Sequence, residues 1–233
     1  MSERMAAAAR ELQDQHDPAS TMKIAVALLV QNVEGCEAAG VSLVHGRRRI
    51  DTPAASDDLV VIGNQLQSEV GEGPCLDAIW DHETVYVPDL ATDSRWPRWG
   101  PRLVEATGMR SVLSLRLFTT QDTLGALNMY ASRADGFGTS DVTEGLALAA
   151  HIAIAVAAAQ RIDQLEAALD SRTVIAQACG MLMERFDMDA ARAFALLTRL
   201  SSSQNVKVRD VAARLVLTRR IPGHDEMAAG SEA

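Results

Sequence analysis

Two periods of apolar residues run through this chain. The segment MRSVLSLRLFT sets Leu113, Leu115 and Leu117 against Val112, Ser114 and Arg116, an alternation of two that marks a β-strand. TLGALNMYAS and TVYVPDL read the same way, as do Val41–His45 and the segment opening at Arg49–Thr52. Gly46 begins a turn between the last two, and Gln121-Asp122 makes a hairpin turn. Helical spacing appears at Ile24, Ala27, Leu28 and Val30, after a break at Pro18 and a cap at Ser20-Thr21. It recurs at Leu59, Ile62, Leu66 and Val70, between a cap at Asp57 and a stop at Gly71. A short helix with Leu76, Ile79 and Trp80 follows, then a Trp/Pro loop leading into another helix over PRLVEATG.

The stretch from Asp141 to Phe186 has no Pro, and its only glycines are Gly145 and Gly180. Good helix formers dominate it. As one helix its roughly 45 residues would reach about 65–70 Å, which points to a coiled coil, a linker helix or two abutting helices. Beyond it, Ala190, Phe194, Leu197 and Leu200 share a face of a helix over Asp189–Ser201. Val208, Val211, Ala212 and Leu215 do so over Lys207–Thr218, and Ser201 to Asn205 reads as a polar loop between them. Ile221-Pro222-Gly223 ends regular structure, and the tail to Ala233 has the composition of a disordered segment.

These elements predict an α+β domain, a mainly antiparallel sheet with flanking helices, joined by a long helix to an all-α three-helix domain. The expected boundaries are 1–20 for an N-terminal helical or flexible segment, 21–159 for the α+β domain, 160–169 for a helical linker, 170–221 for the three helices and 222–233 for the tail.

Composition narrows the function classes. The 233 residues are 48% hydrophobic and 23% charged, enough for a proper core. There is no secretory apolar region, and the Ala-rich window Gly145–Ala159, interrupted by His151, is short for a bilayer. A cytoplasmic protein without a membrane partner is expected. Cys36, Cys75 and Cys179 are scattered and odd in number, as free thiols are. His45 and His82 have no partner at ligand spacing, and no catalytic triad, carboxylate pair or phosphate-binding loop stands out. No metal, cofactor or enzymatic activity is expected. From Asp170 to Ile221, nine basic residues against five acidic ones give +4, so the rest carries −13 of the total −9. A basic segment on an acidic protein points to a polyanionic partner.

The blocks GEGPCLDAIW, VYVPDL, DSRWPRW, MRSVLSLRLF and TLGALNMYA, in this order and spacing, resemble the GAF domain of actinobacterial regulators, from about Thr21 to Ala159. The stretches ALDSRTVIAQACGMLMERF and DAARAFALLTRLSSSQNVKVRDVAARLV resemble the ANTAR domain, through Gly180 to Met183, Ala193-Phe194 and Arg209 to Ala212. One position departs: that family usually has Lys before the glycine, where this chain has Cys179. The resemblance implies a transcription antitermination regulator, in which a GAF domain senses a signal and an ANTAR domain binds paired hairpins in nascent RNA. The alternative is a dimeric signalling or partner-binding module with weak or lost RNA binding. GAF-type sulfoxide reductases work by cysteine chemistry, and the blocks around Cys36 and Cys75 do not match that pattern.

Arg and Lys hold phosphates, while stacking and hydrogen bonds read unpaired bases. On that chemistry the RNA-contact candidates are Arg172, Gln177, Cys179, Gly180, Arg185, Phe194, Arg199, Asn205, Lys207 and Arg209. Phe194, between Ala190 and Leu197, also fits a core position. Gly180 costs its helix about 1 kcal/mol against Ala, so it needs a reason: close helix packing, close RNA approach or a helix break. Cys75, Trp80, Trp96, Trp99, Met109 and Met129 either line a pocket for a small apolar ligand or pack as core. Ile162, Leu165, Leu169 and Arg172, after the Ala-rich run, suggest helix-on-helix pairing in a homodimer. Duplex DNA is disfavoured, because the Ser/Gln/Asn connection looks longer than a helix-turn-helix turn.

Overall fold

The computed structural model describes residues 2–15, 17–45, 49–119 and 123–220. The turns expected at Gly46 and Gln121-Asp122, and the tail from Ile221, lie outside the described residues. The chain forms two compact units, Met1–Ile162 and Asp163–Ala233.

The first unit is α+β. Helices α1 (Ser2–Gln13) and α2 (Pro18–Asn32) precede a hairpin of β1 (Ala38–His45) and β2 (Arg49–Ala55). Then come α3 (Asp58–Val70), α4 (Pro74–Trp80), β3 (Thr84–Val87), α5 (Gly100–Thr107), β4 (Ser111–Phe118) and β5 (Thr123–Ala131). The sheet order is β2-β1-β5-β4-β3, and every pairing is antiparallel. Period-two alternation gives the sheet two distinct faces. Val41, Leu43, Leu113, Leu115, Leu117, Leu127 and Met129 pack with α2 and the start of α6 (Thr139–Phe186). Val85, Val87, Val112, Ala126 and Tyr130 pack with α3, α4 and α5.

One helix start and one helix phase differ from the sequence reading. Pro18 does not break a helix but opens one: Asp17 is the N-cap of α2, its carboxylate accepting from Ser20 N–H at 2.9 Å, and Pro fits the first turn, where its missing N–H costs nothing. In α3 the buried positions are Val60, Gly63, Asn64 and Gln67, while Ile62 is exposed. The helix turns two amides inward because polar partners wait there.

Helix α6 runs unbroken for 48 residues, so Gly180 does not break it. By length and hydropathy a window of α6 qualifies as a membrane span, with mean hydropathy 1.8. That apolarity has a use in the first unit, where Leu148, Ile152 and Val156 are buried in the core. At its start the Asp141 carboxylate accepts from Gly138 N–H at 2.7 Å and from Gly35 N–H at 3.2 Å, joining the end of the α2 segment to the start of α6.

In the second unit, Ala178 and Leu182 of α6 pack with Ala193 and Leu197 of α7 (Ala190–Gln204) and with Val211, Ala212 and Leu215 of α8 (Val208–Thr218). Ser201 to Gln204 are helical, not loop, so the connection is the three residues Asn205, Val206 and Lys207. Asn205 sits at φ 51°, its N–H and that of Val206 both bonding the Ser201 carbonyl. Such a left-handed cap suits Asn or Gly, and Val206 completes it by packing on the core. A three-residue connection also removes the length argument against a helix-turn-helix.

Asn205→Val puts a β-branched residue in the left-handed region at a cost of roughly 1–2 kcal/mol. Thermal unfolding is expected to show the second unit destabilised by that amount, with Asn205→Gly close to the parent.

Candidate functional site

Between the sheet and α3–α4 lies a buried network of uncharged polar side chains. Asn128, on the central strand β5, pairs with Ser114 of β4 and Gly40 of β1. Its Nδ2 donates to Ser42 Oγ at 3.0 Å and to Cys75 Sγ at 3.3 Å, and its Oδ1 accepts from Ser114 Oγ at 2.7 Å. Asn64 Nδ2 donates to Ser42 Oγ and Thr52 Oγ1, both at 2.9 Å, and Asn64 Oδ1 accepts from Gln67 Nε2 at 3.3 Å. Gln67 Oε1 then accepts from Cys75 N–H at 2.8 Å. Burying amides and hydroxyls is tolerable because they satisfy one another. Gly73, at φ 147°, makes room for the Gln67 side chain: a Cβ there would lie 2.2 Å from its oxygen. Glu72, beside it, accepts from the N–H groups of Arg98 at 2.6 Å and Trp99 at 3.0 Å, fixing this loop to the start of α5.

One buried group is left over. Tyr130 is fully buried, and its hydroxyl has no hydrogen-bond partner among the described residues. Burial and the nearby Cys75 push its ionisation far up.

The six ligand-site candidates do not line one pocket. Cys75, Trp96, Trp99 and Met109 are buried together on the α3–α5 face. Trp99 donates to the Gly63 carbonyl at 3.0 Å, and Trp96 to Asp77 at 3.1 Å. Met129 faces the opposite side of the sheet, as its strand parity requires, and Trp80 is 48% exposed at the end of α4. Sequence reasoning missed Ser42, Asn64, Gln67, Ser114 and Asn128. Their signal was polar residues at inward-facing strand positions and at the buried phase of α3.

In the second unit Phe194 is 49% exposed, which corrects the core position expected for it. The buried face of α7 runs through Ala193 and Leu197, and Phe194 lies about 100° round from it. Ala190 is likewise exposed. Arg172, Gln177 and Gly180 are exposed on α6, and Cys179 is half-buried against the three-helix core. Arg185 Nη1 donates to the Arg219 carbonyl at 3.0 Å, tying α6 to the end of α8. Arg209 is paired with Asp210 at 3.2 Å. Arg199 and Lys207 are exposed and make no ion pair among the described residues. Arg199 lies on the face of α7 away from Ala193 and Leu197, about 140° round from Phe194, so these two do not converge on one spot.

Burial pushes the Cys36 thiol up to about 12 and raises Cys75 as well, where hydrogen bonds from Asn128 and Ser42 only partly oppose it. A raised thiol stays protonated, and unreactive, to higher pH. Burial raises Cys179 too, but it is only half-buried, so alkylation of the native protein at pH 8 is expected to modify Cys179 first, with Cys36 and Cys75 reacting only on unfolding. Rapid modification of native Cys75 would contradict this burial.

Comparison with known proteins fits this architecture. The chain is similar in fold to the GAF domain of an Acinetobacter phosphoenolpyruvate-protein phosphotransferase, at 13% identity and TM-score 0.53 over 68% of this chain and 93% of that one. It is similar to free methionine-R-sulfoxide reductase from Neisseria meningitidis, at 18% identity and TM-score 0.51 over 69% and 90%. It is also similar to the Stigmatella aurantiaca phytochrome photosensory core module, at 11% identity and TM-score 0.58 over 85% and 44%. No curated protein matches in sequence. The GAF domain model matches residues 15–157, more than half of the chain, and the ANTAR domain model matches residues 163–216. The chain belongs to the GAF domain family and carries an ANTAR domain directly after its GAF domain.

Proposed function

We propose that this protein is a cytoplasmic, signal-sensing transcription antitermination regulator, working as a homodimer whose ANTAR units bind paired hairpins in nascent RNA. The observation that carries the RNA reading is Phe194: a half-exposed aromatic on a three-helix unit that also presents exposed cations. A core position would have hidden it. An exposed ring offers a stacking surface for an unpaired base, and Arg172, Arg199 and Lys207 are free to meet phosphates. Gln177 and Asn205 add hydrogen-bonding groups.

The GAF domain supplies the regulation. Its buried polar network carries no charged side chain and ties α3 and the loop before α4 to the central strands. The α6 backbone is the continuous connection between the two domains.

Purified protein is expected to bind a hairpin-bearing RNA with a log–log salt slope of about −0.7 for each single-stranded phosphate neutralised. Phe194→Ala removes one stacking platform, worth ~1–3 kcal/mol per base, at an exposed position where folding is little affected. Arg199→Ala is expected to reduce the salt slope by about one such unit. Unchanged affinity in Phe194→Ala, with helix content intact by circular dichroism, would remove the stacking role.

A further inference from the structure

The two faces of the sheet belong to different cores, and β3 takes part in both. Val85 and Val87 lie in the core under α3, α4 and α5, while Tyr86 packs against the core shared with α2 and α6. β3 is also an edge strand, so one row of its backbone groups points away from β4. Both features draw contacts from the segments that flank the sheet.

On one side is the segment 89–99, which packs on the α3–α5 face through Trp96 and Trp99. Arg95 Nη2 donates to the Tyr86 carbonyl at 2.8 Å. The same guanidinium holds the Asp93 carboxylate at 2.6 Å and lies 4.3 Å from the centre of the Trp96 ring. An exposed arginine thus ties the segment of a buried tryptophan to the strand edge. On the other side is the segment 132–138, which leads from β5 into α6. Asp135, left-handed at φ 51°, donates its N–H to the Pro88 carbonyl at 2.8 Å. The buried Phe137 ring meets the Tyr86 ring edge-on at 6.4 Å. Next comes Gly138, whose N–H the Asp141 carboxylate holds and whose carbonyl accepts from Val142 N–H at 3.1 Å in the first turn of α6. This junction has little slack. A Cβ on Gly35 would lie 2.1 Å from the Gly136 carbonyl oxygen, so the turn after α2 closes one direction of movement.

We infer that β3 is a mechanical relay from the Trp96 segment to the first turn of α6, with Arg95 and Tyr86 as its positioning residues. The inference rests on the reading that the GAF domain regulates the ANTAR unit, and adds the route inside the GAF domain. The strands β1, β5 and β4 are each paired on both sides, whereas β3 is four residues long and paired along one side alone. It therefore shifts without breaking the rest of the sheet. Displacement of the Trp96 segment pulls the Tyr86 carbonyl through Arg95. The Tyr86 ring and the Pro88 carbonyl move with their strand, and Phe137 and Asp135 carry that movement to the start of α6. The two cores are coupled around the edge of the sheet, not through it.

Amide hydrogen exchange of the full-length protein, without RNA, tests the relay. Arg95→Ala, at an exposed site, is expected to speed exchange in segment 89–99 and also, about tenfold, at Val142 to Gly145 of α6, with β1 and β5 as in the parent. Arg95→Lys keeps one donor and is expected to fall between. Tyr86→Leu, which removes the ring contact and keeps an apolar side chain, is expected to speed Val142 to Gly145 but not segment 89–99. In the double variant Val142 to Gly145 should exchange no faster than in Tyr86→Leu, because one route has already been cut. If Tyr86→Leu loosens the whole sheet, Arg95→Ala decides alone. An Arg95→Ala effect confined to segment 89–99, or two single effects that add, would overturn the relay. Since the readout needs no RNA, such a failure leaves hairpin binding untouched, and a failure to bind hairpins leaves the relay standing.

Discussion

An α-helix has a limited circumference, and α6 must divide its own among several demands. In the first unit one face is spent on the core through Leu148, Ile152 and Val156. In the second unit Ala178 and Leu182 serve a different core. Large apolar residues are left exposed along α6 as well, at Leu146, Ile154, Ile162, Leu165, Leu169, Met183 and Phe186. Ala149 and Ala153 are buried beside Leu148 and Ile152 in the first core, and at Gly180 no atom of the described residues lies within 4 Å of where a Cβ would be.

The GAF unit solves a second problem, burying amides without charge. Asn64, Gln67 and Asn128 would each be costly alone in an apolar interior. Linked through Ser42, Ser114 and Thr52, they hold α3 and the loop before α4 against the central strands. The same arrangement holds Cys75 in place by its N–H and its sulfur. A thiol so enclosed is a packing group, and its raised ionisation follows from that burial.

Much of the fold was legible in the sequence. Strand alternation in MRSVLSLRLFT assigned the two sheet faces of β4 correctly, because side-chain direction in a strand depends on parity alone. The left-handed stop at Gly71 and the cap at Asp57 were equally direct, since each rests on local backbone chemistry. Helix phase was harder. In α3 the apolar Ile62 faces outward while Asn64 and Gln67 face inward, a reversal fixed by partners on β1, β2 and α4 that no local window contains. In α7 a phase one residue off hid the exposure of Phe194. The run Ser201 to Gln204 looks like a loop by composition, yet the Ser201 and Ser203 hydroxyls bond carbonyls nearby and the helix continues to the Asn205 cap.

The proposed homodimer presents two ANTAR units to two hairpins. Binding of a two-hairpin RNA, compared with the same RNA carrying either hairpin alone, tests it most directly. Linked sites raise the second encounter to an effective concentration set by the linker, so the two-hairpin RNA is predicted to bind about 10²–10⁴-fold more tightly. Equal affinity for one hairpin and for two would contradict the account.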